Sequence, residues 1–166
     1  MEGIVLLKND NTTQPLNMST PGVSLAMIGF WANTADKMLS GNIGSPPFSH
    51  DPAWTAEQIG VRVNYAPSPL AQRSYDISAV VAATQKSKYI IYFGGIDNTI
   101  EKESLDRTSI SWPSGQLAMI KKLEDLGKPL IVVKWALTWV THPSSPCPAS
   151  RQFSGLGTPV RMTVRQ

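Results

Sequence analysis

Carboxylates are concentrated in one short part of the chain. Asp97, Glu101, Glu103 and Asp106 fall within ten positions, and Arg107 follows them directly. A carboxylic acid can give a proton to a departing group, and a carboxylate can take one from an attacking group. The cluster therefore has the composition of a general acid–base site, although charge clusters of this kind are more often solvated surface.

The acidic segment follows a stretch that has the pattern of a buried strand. Tyr89 to Phe93 is apolar or aromatic throughout and ends in the pair Gly94-Gly95. In open α/β folds, ligands bind where loops leave the carboxyl ends of the strands, so the acidic loop lies where a catalytic carboxylate would be expected. The glycine pair could also form a phosphate-cradling turn. It lacks the G-x-G-x-x-G context with a helix directly after it, so we expect a backbone-packing role.

Further apolar stretches alternate with helix-like patterns along the chain. Four stretches are almost continuously apolar, which is the pattern of parallel strands covered on both faces. The expected strands are Val23 to Phe30, Val61 to Ala66, Tyr89 to Phe93 and Pro129 to Val133. The expected helices, chosen by spacing and by end signals, are Asp51 to Ile59, Ile77 to Lys86 and Ser114 to Leu126. This order predicts an α/β fold, a three-layer α/β/α sandwich with a mostly parallel sheet that is truncated at its C-terminal end.

Size and charge exclude several classes of function. The 166 residues allow one domain with a real core, and a net charge of +3 without lysine or arginine runs gives a weak nucleic-acid footprint. No apolar run approaches the roughly 20 residues that span a bilayer. The start, M-E-G-I-V-L-L-K-N-D, does not have the pattern of a secretory signal. We therefore expect neither nucleic acid nor a membrane as a partner.

Several other residues with chemical potential have simpler explanations. His50 has no second histidine or cysteine at ligand spacing, so we expect no metal, and we expect no cofactor. Trp31, Trp54 and Trp112 could stack on sugar rings, but tryptophans that pack in cores or loops are commoner. The pair Asp97-Asn98 is expected to cap a turn.

Two short patterns and one cysteine concern the cellular compartment. The segments Asn11-Thr12-Thr13 and Asn17-Met18-Ser19 both satisfy the N-glycosylation pattern, which often arises by chance in a chain rich in Asn, Ser and Thr. A single cysteine, Cys147, excludes an internal disulfide and leaves the redox compartment open.

Five segments carry motifs that agree with one known family. They are E-G-I-V-L-L-K-N-D (residues 2–10), A-M-I-G-F-W-A-N-T (26–34), M-L-S-G-N-I-G-S-P-P-F (38–48), F-G-G-I-D-N-T-I-E-K-E-S-L-D-R-T-S-I-S-W-P (93–113) and Q-L-A-M-I-K-K-L-E-D-L-G-K-P-L-I-V-V (116–133). Together they resemble the second, α/β-sandwich domain of glycoside hydrolase family 3, particularly its fungal β-xylosidase branch. The segment 93–113 is the most specific match, since so many consecutive positions agree.

The resemblance implies a function for one glutamate. Members of this family hydrolyse terminal β-linked sugars with retention. An aspartate nucleophile on a (β/α)8 barrel attacks the sugar, and a glutamate of the sandwich domain protonates the leaving oxygen. That glutamate lies just before an x-x-D-R sequence, which here selects Glu103 in E-S-L-D-R, with Glu101 as the fallback. The competing interpretation is that Glu103 is a surface carboxylate paired with Arg107 or Lys102. Asp106 and Arg107 are expected to form an adjacent ion pair that shapes the loop.

The resemblance also sets the expected partners. The complete enzyme would act on β-linked xylo-oligosaccharides or glucosides and would be extracellular, and the barrel domain with its nucleophile is expected to be missing from this chain. We expect a partial family 3 sandwich domain at residues 1–133 and an aberrant tail at residues 134–166, either out of frame or poorly ordered. In another reading frame, the codons of Phe153 to Val160 permit L-W-A-G-Y-P-G, a segment that the family has near this position.

Three other functions remain open. A β-glucosidase is the nearest, since the choice of sugar depends largely on barrel residues. A free-standing α/β module could instead bind a nucleotide or a flavin. A non-catalytic interaction domain is the third possibility, and it should expose an unusually apolar surface.

Overall fold

A computed structural model describes residues 4–9, 13–33, 57–58, 60–68, 76–135 and 160–165. The strands are β1 (Ile4–Asn9), β2 (Ser24–Ile28), β3 (Arg62–Ala66), β4 (Tyr89–Gly95), β5 (Leu130–Trp135) and β6 (Val160–Arg165). The helices are a short 3-10 helix (Phe30–Asn33), α1 (Ile77–Gln85) and α2 (Ser114–Glu124). No helix in these ranges is long and apolar enough to cross a membrane.

The strands form one sheet in the order β1-β6-β5-β4-β2-β3. Neighbouring strands from β3 to β5 are parallel, β6 runs antiparallel to β5, and β1 is parallel to β6. The α/β fold with a mostly parallel sheet is therefore confirmed, and all four predicted strands are present within two residues of their expected bounds. The strands β1 and β6 were not predicted.

Each face of the sheet carries its own part of the core. On one face, both helices pack against side chains of the central strands. The helix residues of this cluster are Val80 and Ala83 of α1 and Met119, Ile120 and Leu123 of α2. The strand residues are Ala26, Ile28, Ile90, Tyr92, Leu130 and Val132. On the other face, Leu25 and Met27 of β2 cluster with Val61 and the 3-10 helix residue Ala32. The predicted helices α1 and α2 are therefore present, and they pack on the same face of the sheet. The third predicted helix, Asp51 to Ile59, lies almost wholly outside the described residues.

Side chains fix both ends of α1. Asp76 is the N-cap, and its carboxylate accepts hydrogen bonds from the hydroxyl and the backbone N–H of Ser78 at 2.5 and 2.8 Å. These bonds lower the pKa of Asp76, so the stability they contribute is present above its ordinary pKa and is lost as the pH falls through the folded-state value. At the other end, Lys128 Nζ donates to the carbonyls of Thr84, Gln85 and Ser87 at 2.5, 3.2 and 2.6 Å. A cation here satisfies open carbonyls and complements the negative end of the helix dipole.

Replacing Lys128 by methionine is expected to lower the free energy of unfolding by about 1–3 kcal/mol, because charge-assisted bonds to partly buried carbonyls are lost. Lys86→Met is the matched control. It removes the same charge near the same helix end, but the Lys86 side chain is exposed. Urea unfolding followed by circular dichroism measures both variants, and equal losses would mean that the Lys128 hydrogen bonds contribute nothing beyond charge.

The buried face of α2 combines apolar residues with one polar residue. Met119, Ile120 and Leu123 are buried, and Leu117 is partly buried against the same cluster. Gln116 is also buried, whereas Leu126 is 39% exposed beyond the helix end.

Candidate active site

The acidic loop leaves the sheet at a topological switch point. The strands β2 and β4 are neighbours, but β2 leads to β3 on one side and β4 leads to β5 on the other. Ligands of open α/β sheets bind in the crevice that such diverging connections leave at the carboxyl ends of the strands. The loop from Ile96 to Trp112 begins at this crevice.

Close backbone packing holds β2 and β4 together at this edge. Gly29 directly follows β2, with a φ of +128°, and donates its N–H to the Ala66 carbonyl at 3.3 Å. A Cβ atom at Gly29 would lie 2.1 Å from the Phe93 carbonyl oxygen. Only glycine fits here, since both its φ and the closeness of β4 exclude a side chain.

The start of the acidic loop is fixed by one buried amide. Gln116 is 1% exposed, and its Oε1 accepts from the Gly95 N–H at 2.8 Å while its Nε2 donates to the Gly95 carbonyl at 2.6 Å. Both backbone groups of Gly95 are thereby paired. Gly94 is also confined, because a Cβ there would lie 2.5 Å from Tyr92 Cε1 and 2.8 Å from Trp112 Cζ3. The predicted packing role is confirmed for Gly94, and the Gly95 N–H already bonds to Gln116.

Replacing Gln116 by methionine should lower the free energy of unfolding by about 2–3 kcal/mol, because the buried N–H and carbonyl of Gly95 lose their partners while the side-chain volume is kept. Lys121→Met, on the exposed side of the same helix, is the control and should stay within about 0.5 kcal/mol of the wild type. Chemical denaturation of the purified chains gives both numbers. A Gln116 variant as stable as the control would contradict the inferred role of the amide.

The far end of the loop is fixed by an aromatic side chain. Trp112 is 3% exposed, and its ring centroid lies 6.4 Å from that of Tyr92 in β4. Lys134 Nζ, in β5, lies 5.9 Å from the Trp112 ring centroid, within the range of a cation–π contact. Trp112 is therefore part of the core under the loop, and Trp31 is also buried, at 7% exposure.

Local contacts fold the segment between these two anchors. Asp97 Oδ1 accepts from the backbone N–H and the hydroxyl of Thr99 at 2.9 and 2.6 Å, so the predicted turn-capping role of Asp97 is confirmed. Glu101 forms an ion pair with Arg107, whose side chain is only 10% exposed. The sequence suggested Asp106 or Glu103 as a partner of Arg107. The structure shows an ion pair with Glu101, which the turn between them brings close to Arg107.

Glu103 lies at the tip of the loop. The backbone groups of Lys102 and Leu105 are paired in both directions, with N···O distances of 3.1 and 2.9 Å. Glu103 and Ser104 are the two residues of the turn that this pairing closes, and Ser104 has a φ of +68°. Such a φ is uncommon for a residue other than glycine and costs of the order of 1–3 kcal/mol. Glu103 is exposed, whereas Glu101 is half-buried in its ion pair.

The structure thus separates the two candidate glutamates. Glu101 holds the loop together through Arg107, while Glu103 projects into solvent from a turn whose base is fixed. Proton transfer to a bound molecule requires an accessible carboxyl on a firm support, which is the arrangement at Glu103. In the described part of the chain, no group of three or more His, Cys, Asp or Glu residues could hold a metal ion. His50, Trp54 and Cys147 lie outside the described residues.

Comparison with known proteins gives one consistent result. The sequence profile of the glycosyl hydrolase family 3 C-terminal domain matches residues 4–149. A probable exo-1,4-beta-xylosidase of Aspergillus clavatus is 41% identical over 164 residues, an alignment that covers 87% of this chain and 21% of that protein. A probable exo-1,4-beta-xylosidase of Aspergillus fumigatus is 43% identical over 136 residues, covering 81% of this chain and 17% of that protein. The chain thus spans about a fifth of the length of these curated relatives.

Solved structures agree with the sequence comparison. A family 3 exo-beta-xylosidase in complex with a xylobiose aziridine probe superposes with a TM-score of 0.65 at 42% identity, covering 76% of this chain and 16% of that one. The beta-glucosidase of Listeria innocua in complex with glucose superposes with a TM-score of 0.64 at 21% identity, covering 78% and 18% of the two chains. The second likeness concerns the fold alone.

Proposed function

Since this chain belongs to the glycosyl hydrolase family 3 C-terminal domains, we propose that it forms part of a retaining, exo-acting β-glycosidase in which Glu103 is the acid/base. The reaction is the hydrolysis of terminal β-D-xylosyl residues from xylan oligosaccharides. The observation that carries the proposal is the exposed position of Glu103 on a hydrogen-bonded turn of the loop that leaves the sheet at its switch point. An acid that serves a sugar bound outside this domain must be presented in this way.

The mechanism requires a second carboxylate that this domain does not supply. In a retaining glycosidase, the two carboxyl groups stand about 5–5.5 Å apart across the scissile bond. One attacks the anomeric carbon, while the other gives its proton to the leaving oxygen and then takes a proton from water. Glu103 performs the second role, and an aspartate of a (β/α)8 barrel domain performs the first. We place the complete enzyme outside the cell, where oligosaccharides are released from xylan.

Two exposed apolar side chains support a meeting of this loop with another surface. Leu105 is 40% exposed next to the turn, and Ile110 is 56% exposed farther along the same loop. We assign this region to the approach of the barrel domain and its sugar.

A β-glucosidase is the alternative within the same reaction class, since the residues that select the sugar would lie mostly on the barrel. A nucleotide or flavin module has less support. The Gly95 N–H is paired with Gln116, and α2 begins only at Ser114. A phosphate site of that kind needs free backbone N–H groups at the start of a helix directly after the glycines.

The proposal predicts that the chain alone is inactive and becomes active in the right setting. The purified chain should release negligible 4-nitrophenol from a 4-nitrophenyl β-xyloside. A chimera in which residues 4–133 replace the equivalent segment of the Aspergillus fumigatus relative should release it readily. An active isolated chain, or a folded but inactive chimera, would contradict the proposal. A parallel assay with the β-glucoside decides between the two sugars.

We propose that the family 3 domain ends near residue 133 and that an out-of-frame tail follows, whereas the match to the family profile extends to residue 149. The strand β5 continues to Trp135, and residues 160–165 form β6 between β5 and β1. An out-of-frame origin of the region from Lys134 onward predicts that the transcript encodes a family-like segment in a second frame. Sequencing the transcript decides this point, and a family-like segment in the frame translated here would contradict it.

A further inference from the structure

The segment Asn17-Met18-Ser19 lies in the connection between β1 and β2 and has no role in the proposed catalysis. Its sequence satisfies the acceptor pattern for N-linked oligosaccharides. We propose that Asn17 is an N-glycosylation site, which carries an oligosaccharide when the chain is made in a secretory pathway.

Packing turns the Asn17 side chain outward. The residues on either side of it, Leu16 and Met18, are partly buried against the face of the sheet that does not carry α1 and α2. Asn17 between them is exposed, and so is Ser19. The Asn17 Oδ1 accepts the Ser19 N–H at 3.2 Å, so its oxygen takes part in the turn. A sugar joined to Nδ2 would extend into solvent without displacing any core residue.

The modification is a substitution at the first sugar of a lipid-linked oligosaccharide pyrophosphate. The Asn17 Nδ2 attacks the anomeric carbon and loses one proton, while the bond from that carbon to the pyrophosphate oxygen breaks. The lipid pyrophosphate leaves with the bonding electrons. The host's oligosaccharide transferase catalyses this step, and the hydroxyl of Ser19 completes the pattern that the transferase requires.

The position of Asn17 keeps a glycan away from the acidic loop. The connection runs from Asn9 to Ser24, and both ends lie at the edge where β2, β4 and β5 begin. The acidic loop leaves the opposite edge, and its residues Ile96, Ile100 and Trp112 pack in the cluster that contains α2. The connection also packs on the face opposite α2. The glycan therefore leaves the candidate active site open.

The test is expression of the full chain behind a secretion signal in yeast. On a denaturing gel, the wild-type band should migrate slowly and should move to a lower apparent mass after treatment with an endoglycosidase. Both the medium and the cell extract are examined, because sugars are added before folding is complete. Asn17→Gln and Ser19→Ala should each lower the apparent mass by the mass of one N-linked glycan, while Ser19→Thr should retain that glycan. Asn11→Gln, which removes the other sequon, should leave the Asn17 step in place.

The proposal is overturned if no variant changes the migration of the wild-type band, or if Asn11→Gln abolishes the whole shift while Asn17→Gln leaves it unchanged. It is equally overturned if the Ser19→Ala variant carries as many glycans as the wild type. Because the readout is the glycan and not turnover, these outcomes are independent of the proposed role of Glu103.

Discussion

Replacing Glu103 by glutamine in the chimeric enzyme should lower kcat/KM by about 10²–10⁴-fold for a β-xyloside with a poor leaving group. Glutamine keeps the shape of the side chain but has no acidic proton that it can transfer to the departing oxygen. The loss should shrink for a dinitrophenyl xyloside, because that leaving group departs without protonation. Stability should change by less than about 0.5 kcal/mol, since Glu103 is exposed at the tip of its turn.

Glu101→Gln is the matched control for this prediction. It alters a carboxylate two positions away in the same loop, and it breaks the ion pair with Arg107. Its effect on kcat/KM should come from loop disorder and should therefore be similar for good and poor leaving groups. The opposite result would assign the acid/base role to Glu101. In that case the loss in the Glu101 variant would depend on the leaving group, and the loss in the Glu103 variant would not.

Gly29→Ala should be more damaging than the same substitution at Gly22 or Gly94. A Cβ there meets the Phe93 carbonyl oxygen at 2.1 Å, and the φ of +128° is unfavourable for any L side chain. Left-handed backbone costs roughly 1–2 kcal/mol and overpacking typically another 1–3 kcal/mol. Because a backbone carbonyl within the sheet cannot move aside, we expect a loss of about 4 kcal/mol or failure to fold, against a typical total stability of 5–15 kcal/mol.

Gly22→Ala separates the steric cost from the backbone cost. Gly22 also has a positive φ, of +78°, but a Cβ there meets nothing within 4 Å. Its cost should be only about 1–2 kcal/mol. Soluble yield and the urea midpoint of each purified variant provide the comparison. If Gly29→Ala proved no more costly than Gly22→Ala, β2 and β4 would not be in such close contact at this edge.

The parts of the fold that could be predicted are those with continuous burial. The strand β2 is buried at every position, so its apolar run is readable from sequence alone. The strand β6 alternates apolar and polar residues, V-R-M-T-V-R, which is a strand pattern. It was missed because the tail around it has no other regular pattern. The strand β1 was read only as a motif, and its exposed Leu6 and Leu7 show that it is not covered as the central strands are.

The acidic loop could be located from sequence but its internal contacts could not. Sequence indicated that Glu103 follows a buried strand and lies near Arg107. It could not show that Arg107 would pair with Glu101, because that depends on the turn at Glu103 and Ser104. Gln116 was missed for a related reason. A polar residue in a helix is normally expected at the surface, and its partner, Gly95, lies 21 positions away in the sequence.

Rescue by azide is the most direct measurement of the role of Glu103. In the chimera with Glu103→Ala, an activated β-xyloside should still form the glycosyl-enzyme, but water should release it slowly because no base assists. Added azide needs no base, so turnover should rise with azide concentration and the product should be the β-xylosyl azide. The assignment of Glu103 would be contradicted if azide left the turnover of the Glu103→Ala chimera unchanged while the Glu101→Ala chimera formed the β-xylosyl azide.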